Sequence, residues 1–125
     1  MKFRLARHTD DLQGLITFYV EFLGLETLGS FTNHDGYNGV FIGKKEGDWH
    51  LEFTSSMDAA KHFPDEDDLL VFYCSNDAEY EAIRSRLAKG KVKQIASKNP
   101  YWNKHASCYK DPDGFRIIIA KQKLT

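Results

Sequence analysis

The stretch Asp111-Pro112-Asp113-Gly114-Phe115-Arg116-Ile117-Ile118-Ile119-Ala120 decides the fold of this chain. Proline pre-sets φ and glycine supplies a positive-φ position, so residues 111–114 form a tight reversal. The apolar run behind it reads as a final buried strand. Near the other end, Asp11-Leu12 leads through Phe18-Tyr19 to Leu23-Gly24-Leu25. That pattern is an amphipathic helix that ends at a glycine cap and enters a strand.

The same arrangement occurs twice. Asp11 and Gly24 bracket the first helical stretch, and Asp77 and Gly90 bracket a second with the same internal spacing. Leu12, Leu15, Ile16, Tyr19, Phe22 and Leu23 share one face of the first; Tyr80, Ile83, Leu87 and Ala88 share one face of the second. Thr9 or Asp10 is placed to cap the first, and Asn76 with Glu79 forms a capping-box pattern for the second. Strand-like runs precede the helices at residues 3–8 and 69–75. Three more follow each helix, at 26–31, 37–43 and 49–54, then at 92–96, 106–110 and 116–121. Strand, helix, strand, strand, strand is therefore written twice. This predicts a first module over about residues 1–57, a linker rich in charge over about 58–68, and a second module over about 69–125.

Composition bounds the function. With 125 residues, 42% hydrophobic and 28% charged, the chain builds a single domain with one modest core. Lys+Arg 17 against Asp+Glu 18 leaves a net charge of -1, which gives no electrostatic footprint for nucleic acid or an anionic membrane. The start of the chain lacks an apolar signal segment and no run approaches a membrane span, so a cytoplasmic location is expected. Cys74 and Cys108 lie in strand patterns without Cys-x-x-Cys spacing, which predicts buried reduced thiols. No serine–histidine–aspartate order, phosphate-cradling glycine loop or cysteine–histidine nucleophile pattern is present.

The helix brackets and the Asp111–Gly114 turn together resemble the vicinal oxygen chelate superfamily, which includes glyoxalase I, extradiol dioxygenases and bleomycin-resistance proteins. The resemblance runs from about Phe3 to Ala120. Asn99-Pro100-Tyr101-Trp102 and His50-Leu51-Glu52-Phe53-Thr54 are similar to its YycE-like branch. The resemblance implies an α+β fold in which two βαβββ modules form curved mixed sheets around a cleft, often in a homodimer.

Strand alternation divides the faces. Phe3 and Leu5, with Leu51 and Phe53, form the helix-packing set. Arg4, Ala6, His8, His50, Glu52 and Thr54 then face the cleft, as do Leu69, Val71, Tyr73, Arg116, Ile118 and Ala120, giving a surface of mixed polarity. Metal-binding relatives carry four ligands at positions that fall on Arg4, Glu52, Leu69 and Ile118 here. Of these only Glu52 is a metal donor, because Arg is a permanent cation and Leu and Ile offer no lone pair. No metal or other cofactor is expected.

The sequence therefore predicts a small-molecule-binding protein with a degenerate, metal-free cleft lined by Arg4, His8, Tyr37, Phe41, His50, Glu52, Tyr73, Tyr101, Trp102 and Arg116. Tyr101 and Trp102 suit a flat or amphipathic ligand, and they equally suit closure of a sheet edge or a subunit contact. The alternative function is a lyase, isomerase or dioxygenase-like enzyme. It would use either a relocated metal at His8, His50 and Glu52 or a metal-free acid–base pair of Glu52 and Arg4 as its catalytic residues.

Overall fold

Two compact units divide the chain between His62 and Phe63 in the computed structural model, which describes residues 1–121. The last four residues of the expected second module lie outside the described residues. Among those described, no helix is long and apolar enough to cross a membrane.

The first unit contains β1 (Phe3–His8), α1 (Leu12–Ile16), β2 (Glu26–His34), β3 (Tyr37–Gly43) and β4 (Trp49–Ser55). Its sheet has the order β1-β4-β3-β2, with β1 parallel to β4 and the other neighbours antiparallel. Asp11, rather than Thr9 or Asp10, caps α1: its Oδ1 accepts the Gly14 N–H at 2.9 Å. Thr9 acts one step earlier, where its hydroxyl accepts the Asp11 N–H at 3.0 Å.

Beyond Ile16 the helix widens into a π-helical segment, Thr17–Phe22, and the Leu23 N–H reaches back five residues to the Phe18 carbonyl at 3.1 Å. Phe18 is buried beside Tyr19; three residues after Leu15 it shares the helical face, although the stripe named above leaves it out. Gly24 then takes the left-handed step at φ 79°, as its position after the helix predicts.

α1 packs on β3 and β4, where Val40, Ile42, Leu51 and Phe53 are buried. The expectation that Phe3 and Leu5 join this core is corrected: they are 63% and 37% exposed. Their parity is as expected, but β1 is the edge strand. On that side it is Arg7 that reaches inward, 5.0 Å above the Phe53 ring and 3.3 Å from the Tyr19 hydroxyl.

The second unit contains β5 (Leu69–Tyr73), α2 (Asp77–Lys89), β6 (Ala106–Lys110) and β7 (Arg116–Ala120), in the sheet order β5-β7-β6. Asn76 caps α2 by accepting the Glu79 N–H at 2.9 Å, and Glu79 returns to the Ser75 N–H at 2.8 Å. Tyr80, Ile83 and Leu87 are buried as expected, whereas Ala88 is exposed.

At the end of α2 the left-handed residue is Lys91, φ 61°, and not Gly90, φ -78°. Val92 N–H to Leu87 O at 2.9 Å and Lys91 N–H to Ala88 O at 3.0 Å complete a Schellman exit. This exit and the departure of the chain at Ser97 leave little of residues 92–96 free to pair. The expected strand there is reduced to a single bridge between Ile95 and Cys108.

The final turn forms as its composition dictates. Asp111 is buried, its Oδ1 accepts the N–H groups of Asp113 and Phe115 at 2.9 and 3.1 Å, and Gly114 sits at φ 89°. Cys74 and Cys108 are both buried free thiols.

Candidate functional site

In the first unit the register places Arg4 beside His50, Ala6 beside Glu52, and His8 beside Thr54. Phe41 lies on the other flank of Glu52, and Gly39 on the other flank of Thr54. Neighbours in register share a face, so alternation delivers these side chains to the side opposite α1.

Arg4 is the hub. Its Nε donates to His50 Nε2 at 2.8 Å, its Nη1 stands 3.6 Å from Glu52 Oε1, and its guanidinium carbon lies 4.9 Å from the Phe41 ring centre. Because Arg has no acceptor, His50 accepts through the lone pair of Nε2, and a neutral ring then carries its proton on Nδ1. The Glu52 side chain is 15% exposed and that of Arg4 49%. The ion pair therefore joins a largely covered carboxylate to a half-solvated cation.

Aromatic rings continue the surface. Phe41 meets the edge of His50 at 5.9 Å and Phe31 at 5.8 Å. The Phe31 ring occupies the space over Gly39, where any Cβ would collide with it. Phe31 was not legible as a site residue, because β2 changes register between Thr27 and Gly29 and again between Phe31 and His34.

At the far end of β1, His8 Nε2 lies 2.9 Å from Ser56 Oγ, and its ring meets Tyr37 edge-on at 6.3 Å. His62 turns back to the His8 carbonyl at 2.7 Å. Ser56 also lacked a signal, since it follows the last alternating residue of β4.

The relocated metal site at His8, His50 and Glu52 is not formed. His8 lies beside Thr54, four strand residues beyond His50, which is about 13 Å of extended chain. His50 meanwhile gives Nε2 to Arg4. Among the described residues no group of three His, Cys, Asp or Glu side chains is arranged to hold a metal ion.

The second unit presents a different face. Leu69, Val71 and Tyr73 align with Arg116, Ile118 and Ala120, and Cys108 aligns with Ile118. Cys108, Ile118 and Ala120 form a buried cluster against which Leu69, Val71, Ile95, Trp102 and Ala106 pack. Arg116 and Tyr73 keep polar groups on this face, and its centre is an apolar cluster around Ile118.

Trp102 reaches that cluster from a 3₁₀ turn, Pro100–Asn103, capped by Asn99. Tyr101, 52% exposed, stands perpendicular to Trp102 at 4.9 Å, and Tyr73 lies 6.5 Å from it. Arg116 is held inside its own unit, 3.3 Å from Glu66 Oε2 and 3.2 Å from the Ala96 carbonyl oxygen, and its side chain is 12% exposed.

The four positions that the family resemblance assigns to a metal thus present one carboxylate, one guanidinium and two aliphatic side chains. This donor set does not fit a divalent ion.

Comparison with known proteins agrees with this architecture. Residues 3–54 match the YycE-like N-terminal domain and residues 67–121 the YycE-like C-terminal domain. The uncharacterized protein YycE of Bacillus subtilis (strain 168) is 41% identical over 121 residues, covering 96% of this chain and 87% of the relative. A crystal structure of a YycE protein of unknown function from Bacillus subtilis superposes with a TM-score of 0.90 at 40% identity, over 99% of this chain and 91% of the other.

More distant structures share the fold alone. Leishmania major glyoxalase I gives a TM-score of 0.73 at 21% identity over 95% of this chain and 84% of its own. TnmS3, an antibiotic binding protein from Streptomyces sp. CB03234, gives 0.68 at 19% identity over 98% and 96%. With both of its domains matched and this backbone, the chain belongs to the YycE-like family and carries the vicinal oxygen chelate fold.

Proposed function

We propose that this chain is a metal-independent small-molecule-binding protein with the Arg4–Glu52–Phe41 face of the first unit as its ligand surface; the Tyr73–Tyr101–Trp102 aromatics of the second unit are a separate candidate for ligand contact. The observation that carries this reading is the Arg4–Glu52 pair. The guanidinium supplies to Glu52 the positive charge that a metal ion supplies to a ligating carboxylate, and Leu69 and Ile118 contribute no donor. The antibiotic-binding function of TnmS3, a protein of the same fold, is in keeping with such a role. Self-association belongs to the same reading, supported by the exposure of Phe3 and Leu5 on the edge strand β1.

Two measurements test it. Protein equilibrated with zinc, nickel, manganese or iron(II) and then desalted should retain far less than one metal per chain. One equivalent that is lost in Glu52→Gln would overturn the metal-independent reading. In a screen of aromatic compounds followed by tryptophan fluorescence, Trp102→Ala should weaken binding of hits by roughly 1–3 kcal/mol while the chain still folds. Unchanged affinity would leave Tyr101 and Trp102 as structural residues of the second unit.

A further inference from the structure

The unused hydrogen-bonding capacity of the first unit's face identifies the chemistry of its ligand. Among the described residues, the only hydrogen bond of the Arg4 side chain is the one from Nε to His50. Glu52 lies 3.6 Å from Nη1, within ion-pair range and beyond hydrogen-bonding distance. The terminal N–H groups of Arg4 are therefore open donors, and the largely covered Glu52 carboxylate is an open acceptor next to them. Phe41, directly below the guanidinium, and Phe31 beside it supply the adjoining apolar surface.

The pair is neutral as a whole, and this decides between ligand classes. A carboxylate would satisfy Arg4 but would press its charge against Glu52. A cation would satisfy Glu52 and meet Arg4. A neutral group with an acceptor and a donor side by side satisfies both partners, and leaves no buried polar group stranded.

We infer that this face selects a flat, uncharged ligand whose amide-type edge accepts from Arg4 and donates to Glu52, with its ring on the Phe31–Phe41 side. The inference rests on the reading of this face as a small-molecule site.

The experiment uses three probes of nearly identical shape, 2-naphthamide, 2-naphthoate and 2-naphthamidine, titrated into the full chain and followed by amide NMR shifts. Wild type should bind the amide about tenfold more tightly than either ion. Glu52→Gln removes the acceptor charge and should move the preference to naphthoate. Arg4→Gln should move it to naphthamidine. Dispersed spectra confirm that each variant is folded. If naphthoate or naphthamidine binds wild type as tightly as the amide, the ligand class is wrong while the binding site stands. If none of the three shifts resonances on this face, the binding site itself falls and the inference with it.

Discussion

The two units apply one strand plan to opposite ends. In both, a parallel pair of strands presents alternate residues on the face away from the helix, β1 with β4 and β5 with β7. In the first unit those positions carry Arg4, His50 and Glu52, and the face stays partly solvated. In the second they carry Leu69, Val71 and Ile118, and Ile118 is fully buried beneath its neighbours. A shared backbone therefore constrains where a side chain points and leaves open whether that direction becomes a site or a core. The difference lies in the covering: the 3₁₀ turn of the second unit lays Trp102 over its face, while among the described residues of the first unit Arg4 is the cover, and half of it meets water.

If the second face is structural, the largest effect should come from opening it. Ile118→Ala should lower the unfolding free energy by about 2–5 kcal/mol in denaturant titration, because it leaves a cavity among tightly packed residues. A loss below about 1 kcal/mol would show that this face is not a core.

A second effect should also belong to the second unit. Burial, assisted by the nearby Glu79 carboxylate, pushes the Cys74 thiol up to about 11 from an ordinary 9.0. Below pH 9.0 the thiol is neutral both folded and unfolded, so it changes nothing. As pH rises from 9.0 to about 11 the unfolded chain ionises first, and stability falls. Cys74→Ala should be less sensitive than wild type across that window in thermal melts; parallel curves would remove the effect.

The smallest effect should come from the first unit. A double-mutant cycle of Arg4→Met and Glu52→Gln should give a coupling of only about 0.5–1 kcal/mol, since a half-solvated guanidinium is screened by water. Coupling of several kcal/mol would mean that the pair is a structural element like the core of the second unit, and would erase the contrast between the faces.

The sequence by itself determined the order of elements apart from the strand expected at 92–96, which is reduced to a bridge, because period-2 and helical apolar patterns, the Asn76 cap and the Asp111–Gly114 turn are local properties of neighbouring residues. It also determined which strand residues share a face in register, such as Arg4 with His50 and Ala6 with Glu52, since alternation along a strand needs no partner. It identified Arg4, His50, Glu52 and Phe41 as residues of one face for the same reason. Tertiary structure decided the rest. Phe31 joins the aromatic surface only through irregular pairing of β2 with β3. Phe3 and Leu5 are exposed because β1 lies at an edge, a fact about neighbours and not about its own pattern. His8 and His50 share a face yet stand four residues apart in register, so parity alone suggested a metal site that distance forbids. Direction along a strand is set locally by the backbone; distance and cover are set by which other segments pack there.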